Sequence, residues 1–347
     1  MLKVNRIMLM AFAINSSAPL ILEVSHENPL VSVISIVPMA SLTAMIYYYI
    51  KFDWNEGGLY SYSFKISPTL GKIQIYTWVL SYFLYIVYTA DYISFYVLNL
   101  PILYSYLLTI LLPIITSILV LTDFVYLVLI GTAAVQLLLS IPITWNFSVN
   151  FNSEEPSYLF SNILSSSLLL ICLTLTTYLK GERKYANVVI YAFLISSFLL
   201  VVGGFFMPSN IVLELSAISD FSLILVEYKA LHNLFNFIGV RQIIRNYIIP
   251  LLVILFTSIS IINYKLFYSI TTAPSFTALF ISVLIPSIIF PFYKRGIGYI
   301  LSIINSGLMV YGVYEVTSSF HGIYFYDSVI PPLIAILIPL LQSYSKR

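Results

Sequence analysis

Runs of about twenty apolar residues recur along this chain with little between them, and that recurrence limits what it can fold into. In hydrocarbon every backbone N–H and C=O must be satisfied within the protein, so repeated runs of this length form a bundle of spanning helices. The sequence predicts twelve spans, at about 7–24, 30–50, 73–98, 101–121, 124–144, 158–179, 188–207, 211–234, 248–264, 273–293, 297–316 and 324–342. Of the 347 residues 60% are hydrophobic and 9% are charged, where a soluble domain has roughly a quarter charged. No connection is long enough to fold as a soluble domain.

Charge placement tests the count separately. With the N-terminus in the cytoplasm, fifteen of the sixteen Lys and Arg residues fall at inner ends, and Lys265 is the exception. Short inner loops carry the basic excess in membrane proteins, and a missed span would invert every later loop. The expectation is a multi-pass protein of the cell membrane with both termini cytoplasmic.

Several function classes drop out. A single cysteine, Cys172, excludes a disulfide framework or a cysteine-rich metal site, and His26, His232 and His321 show no metal-ligand spacing. No Ser/His/Asp grouping or phosphate-binding glycine loop points to catalysis. A net charge of +2 gives no reason to expect a nucleic-acid partner. No cofactor or metal is expected, and the lipid bilayer is the surrounding partner.

The first run is interrupted at Asn15-Ser16-Ser17-Ala18-Pro19. Proline lacks the N–H that continues a helix, and Asn and Ser offer freed backbone groups local partners. A broken helix at mid-bilayer depth is how many secondary transporters build a substrate site. A proline kink packed around by other helices is the equal alternative.

Residues 57–90 open with Gly57-Gly58-Leu59-Tyr60-Ser61-Tyr62 and run through Leu70-Gly71 to a helix containing Trp78. This stretch resembles the inner loop and third helix of the amino acid–polyamine–organocation superfamily. The Ser-Ser-Ala-Pro of the first run and Gly181-Glu182 at the end of the sixth are similar to motifs of that family. The resemblance covers roughly residues 7–205; beyond them only topology agrees. It implies an all-α five-plus-five inverted-repeat fold in one domain, with discontinuous first and sixth helices. Repeat one would span about 7–144 and repeat two about 158–293, followed by two additional helices at about 297–342.

The resemblance further implies a permease for amino acids, polyamines or related small organic cations, coupled to H+ or Na+. The substrate would lie at Asn15, Ser16, Ser17 and Ala18 on one side, and at Ser166, Ser167, Cys172 and Thr174 on the other. Glu182 would belong to an inner-gate ion network; a solvated charge cluster at a helix end is the alternative. The chain departs from the family in having no glycine at either break and no lysine in the fifth span. That departure keeps a non-transporting subunit of a larger membrane complex as a rival. The oligomeric state is not legible.

Ionisable groups at bilayer depth are costly and default to functional candidates. Asp91, among Tyr88, Tyr92 and Tyr96, either faces the central cavity as a substrate or proton site or is an outer-end acid held by tyrosine hydroxyls. Glu227 and Lys229 are two residues apart and therefore on different faces; a reach of both toward the cytoplasm is favoured over a buried relay.

Overall fold

The computed structural model describes residues 4–17, 28–122, 124–139, 141, 145–147 and 156–344. Ala18, one of the expected substrate-site residues, lies outside them. The described residues form thirteen α-helices. The first seven are α1 (Arg6–Ser17), α2 (Pro29–Phe52), α3 (Gly58–Ile66), α4 (Pro68–Tyr92), α5 (Ile102–Leu121), α6 (Phe124–Leu139) and α7 (Pro156–Leu168). A 3-10 segment, Ile171–Tyr178, continues α7. The remaining six are α8 (Val188–Phe205), α9 (Asn210–Phe237), α10 (Ile249–Ile259), α11 (Tyr264–Ile289), α12 (Ile297–Ser319) and α13 (Ile323–Tyr344).

Among the described residues, eight helical segments are long and apolar enough to cross a membrane, rather than twelve. The other four expected spans differ for identifiable reasons. The described part of the first is 12 residues long. The fifth and ninth, Phe124–Leu139 and Ile244–Ile259, are apolar but short. The eighth, α9, has 28 residues but carries Glu214, Asp220, Glu227 and Lys229. α11 begins at Tyr264, not near 273, because the Asn263 side chain caps it, accepting the Leu266 N–H at 3.1 Å, and Pro274 sits inside the helix. Packed neighbours let a spanning helix keep an interior proline.

The all-α expectation needs one correction. Trp145–Phe147 (β1) pairs antiparallel with Phe206–Pro208 (β2), with Trp145 opposite Pro208. Strands of three residues are too short for an alternating pattern to reveal them. The inner connection read as a loop over 51–72 also holds a helix, α3.

Packing follows from where small and aromatic residues fall. α4 packs along α11, which also carries α12 and α13, and α2 packs along α8 and α7. α1 lies against α6, α8, α9 and the 3-10 segment. Between α2 and α7, Ser35 Oγ donates to the Ile163 carbonyl at 3.0 Å and Ser167 Oγ to the Ser35 carbonyl at 3.2 Å. Small side chains let the two backbones approach that closely.

The Gly57-Gly58 turn is fixed by its neighbours. Gly58 has φ +50°, and a Cβ there would stand 2.5 Å from the Tyr178 ring. At Gly181 a Cβ would meet the Trp54 ring at 2.7 Å, and Trp54 Nε1 donates to the Thr176 carbonyl at 3.0 Å. The turn thus docks α3 beneath the end of the 3-10 segment. Gly58→Ala adds both steric overlap and left-handed backbone strain, of order 1–3 kcal/mol. It should lower the unfolding midpoint of the detergent-purified protein; an unchanged midpoint would show that α3 is not seated on Tyr178.

Candidate functional site

Of the first expected break, Asn15, Ser16 and Ser17 are helical and buried while Ala18-Pro19 lies outside the described residues; the second falls on buried, polar-lined ground. α1 is described as far as Ser17, and α7 ends at Leu168 before the chain resumes at Ile171 as a 3-10 helix. The α1 helix and the 3-10 segment are in contact. Ser16, Ser17, Ser166, Ser167, Cys172 and Thr174 are all buried.

Their hydroxyls are turned toward their own helices. Ser16 Oγ donates to the Ala13 carbonyl at 2.8 Å and Ser17 Oγ to the same carbonyl at 2.9 Å. Ser166 Oγ donates to the Asn162 carbonyl at 2.7 Å, Ser167 Oγ to Ile163 at 2.6 Å and Thr174 Oγ1 to Ile171 at 2.7 Å. Such back-bonding is a common fate of Ser and Thr in spanning helices, and it bends or tightens the turn that carries them.

Asn15 is occupied differently. Its Nδ2 donates to the carbonyls of Ala11 at 2.8 Å and Leu129 at 2.7 Å. Its Oδ1 accepts from Thr132 Oγ1 at 3.0 Å and Gln136 Nε2 at 2.5 Å, and Gln136 also donates to Ser222 Oγ at 2.9 Å. An amide side chain has two donor hydrogens and two acceptor lone pairs, so every one is used within the protein. Asn15 ties α1 to α6, and through Gln136 to α9.

The centre of the bundle holds an aromatic column that sequence reading did not single out. Tyr82, Tyr85 and Tyr88 succeed one another at three-residue spacing on α4, with ring centroids 6.3 and 4.9 Å apart. Trp78 continues it at 4.6 Å from Tyr82, and Phe276 of α11 stands 5.8 Å from Tyr85. Glu227 of α9 is within electrostatic reach of all three tyrosines and of Cys172. Asp220, two helical turns earlier on the same face of α9, is within reach of Tyr85.

The expectation that Glu227 reaches toward the cytoplasm is overturned. Its side chain is 0% exposed, and neither carboxylate oxygen has a hydrogen-bond partner. The reason is its place near the middle of α9, too far from either end for a two-methylene stem to reach water. Lys229, on a different face, stacks its ammonium 5.6 Å from the Tyr126 ring. Asp91 is also 0% exposed; it lies beside Ser260, in the α10–α11 connection, and close to Tyr96.

At the end of the bundle where α3 docks, polar bonds join the parts. Gln74 Nε2 donates to the Tyr178 hydroxyl at 3.0 Å and Asn233 Nδ2 to the Tyr178 carbonyl at 3.1 Å. Tyr62 stacks on Tyr49 at 4.4 Å, and its hydroxyl donates to the Asp53 carbonyl. Glu182, expected in this network, pairs with Lys184 at 2.5 Å, and both side chains are about half exposed or more, at 48% and 63%. The ion pairs fall instead on Asp53, with Lys65 at 2.6 Å and Arg183 at 3.7 Å. A cavity of about 510 Å³ adjoins this end, between Glu56, Lys180, Lys229, His232, Asn233 and Arg245.

The fold is shared with a membrane transporter. A histidine-to-alanine variant of a manganese transporter from Eremococcus coleocola is similar at a TM-score of 0.60 and 13% identity, over 96% of this chain and 92% of that one. A glutamate-to-glutamine variant of the same transporter gives 0.57 over the same shares, also at 13% identity. At that identity the likeness concerns the fold alone. No protein-family model and no curated protein sequence matches the chain.

Two outcomes follow from this geometry. Asn15→Ala removes three bonds between helices, at roughly 0.6 kcal/mol each, and should destabilise the protein by roughly 2 kcal/mol in thermal unfolding. A double-mutant cycle with Gln136→Ala that showed no coupling would remove the clamp. For Asp53, burial pushes the carboxyl up, but the Lys65 hydrogen bond and charge outweigh it and hold it below the usual carboxylate range. A lowered value in the folded state contributes stability that is complete above about pH 4 and is lost as pH falls through the folded value. Asp53→Asn should lose that contribution at neutral pH and flatten the acid limb of a stability–pH curve.

Proposed function

We propose that this chain is a secondary active transporter, moving a small organic cation of the amino acid, polyamine or related amine class across the cell membrane by alternating access. The observation that carries the reading is the contact of α1 with the 3-10 continuation of the interrupted helix α7, beside a buried carboxylate and an aromatic wall. Helix interruptions at membrane depth are tolerated where they are buried in protein or line a cavity, which is how such carriers expose backbone groups to a solute.

The pattern of helix contacts supports an inverted repeat. Taking the twelve expected spans in order, α1 contacts α8 as α7 contacts α2, and α6 contacts α9 as α11 contacts α4. The α5–α9 and α10–α4 contacts correspond in the same way, while α2–α8, α4–α9 and α5–α10 map onto themselves. A two-fold relation between spans one to five and six to ten generates these pairs, whereas the α1–α6 contact has no α7–α11 counterpart of similar extent. The termini would then be cytoplasmic, with the α3 end facing the cytoplasm.

In this reading the freed backbone near Ser16, Ser17 and Ala18, together with that around Ser166, Ser167, Cys172 and Thr174, faces the solute. Asn15 positions α1. Among the described residues no three His, Cys, Asp or Glu side chains come together as metal ligands, whereas rings suit an organic ammonium. The manganese of the structural neighbour is therefore not taken over as cargo.

The test is thermal unfolding of purified protein against amino acids and polyamines, followed by uptake of any hit into proteoliposomes. A ligand at a hundredfold excess over its Kd adds roughly 2.7 kcal/mol, visible as a raised midpoint. One chemical class should raise it and be accumulated. A well-folded protein with a flat panel and no uptake would overturn the reading in favour of a non-transporting subunit.

A further inference from the structure

Glu227 and Asp91 are the described carboxylates that are 0% exposed with neither oxygen partnered, and Glu227 is the one within reach of Tyr82, Tyr85 and Tyr88. Its carboxylate is fully buried with both oxygens unpartnered, and the Tyr82 and Tyr88 hydroxyls in the same centre are also buried without partners. An ionised carboxylate held this way costs several kcal/mol, a large share of a domain's net stability. Two compensations exist: a proton on the oxygen, or a cation beside it.

The groups around it say which cations fit. α4 contributes Tyr82, Tyr85 and Tyr88, the 3-10 segment Cys172, and α9 itself Asp220 on the same face. α1 and α6 contribute the neutral Asn15 and Gln136, already bonded to each other. Of the nearby basic groups, Lys229 is directed at Tyr126 of α6 on another face, and Arg245 bonds Asn236 at the α3 end of the bundle. Two acids and a stack of electron-rich rings make a seat for an ammonium, which gains from both the charge and the ring faces.

We infer that Glu227 is an exchange site at which a proton and a small organic ammonium displace one another. The empty, closed protein holds a proton on a Glu227 oxygen. When the ammonium enters, that O–H bond breaks, the proton leaves to water on the open side, and an ion pair takes its place. Nothing is oxidised or reduced, and no bond to carbon changes. One carboxylate thereby couples the cation to a counter-moving proton, since it cannot hold both. This deepens the transporter reading and rests on it for its physiological meaning.

Infrared difference spectroscopy of the full-length protein in nanodiscs tests the exchange without requiring transport. At neutral pH the wild type should show the carbonyl stretch of a protonated carboxylic acid, missing from Glu227→Gln and shifted in Glu227→Asp. Methylammonium, choline and putrescine chlorides are then added one at a time, with sodium chloride as control. At least one ammonium should abolish the band and release about one proton per protein into a weakly buffered solution. Absence of any band sensitive to Glu227→Gln, or to Glu227→Asp should the first variant not fold, overturns the proposal. So does a band that all three ammonium salts leave intact, or one that sodium chloride removes alone. Failure of the transporter reading would look different: exchange at Glu227 intact, with no accumulation in proteoliposomes.

Discussion

A helix that stops inside a membrane leaves carbonyl and amide groups that lipid cannot satisfy, and the arrangement of this protein follows from that constraint. α1 is enclosed by α6, α8, α9 and the 3-10 segment, and the interruption between α7 and that segment is covered by α2 and α9. The serines and threonines flanking the breaks return their hydroxyls to carbonyls three or four residues back, which keeps the short turns polar-saturated. Among the described side chains, Glu227 and Asp91 are left with both carboxylate oxygens unpartnered.

That division also explains the role of Asn15. A residue meant to receive a solute would keep a donor or acceptor in reserve, and Asn15 keeps none. Its four bonds hold the end of α1 in register with α6, and Gln136 extends the tie to Ser222 on α9, five residues before Glu227. Polar residues between spanning helices act as such glue even when each bond contributes only a fraction of a kcal/mol. The site would accordingly be built from backbone and rings, with polar side chains holding them in place.

Much of the architecture was legible because membrane length and helix breaks are coarse signals. The interruption at Leu169-Leu170 falls within the sixth helix, which the resemblance implied to be discontinuous. The short segments escaped for physical reasons: β1 and β2 have three residues each, and α3 has nine with no clean apolar period. The centre was harder. Tyr82, Tyr85 and Tyr88 are spaced as one helix face, and Asp220 and Glu227 stand seven apart, but in a chain with 29 tyrosines the first pattern is common. Glu227 was misjudged because its sequence neighbour Lys229 suggests an exposed end, whereas depth along a 28-residue helix decides exposure. The ion pairs of Asp53 were not legible either, because no motif surrounds that residue.

The bonds at the α3 end bear on how such a structure could open. Tyr178 is held to α4 through Gln74 and to α9 through Asn233, and Asn236 donates to Glu56 at 3.1 Å. These three join the 3-10 segment and the connection before α3 to α4 and α9. At roughly 0.6 kcal/mol each they sum to roughly 2 kcal/mol, a modest barrier beside the ~5.5 kcal/mol that reverses a 1:99 population. The stacked Tyr49 and Tyr62 add aromatic contact at the same end, worth about 1 kcal/mol. Leaving Glu227 ionised and unpaired would cost about as much as the latch contributes, so occupancy at the centre and closure at the end are comparable in energy.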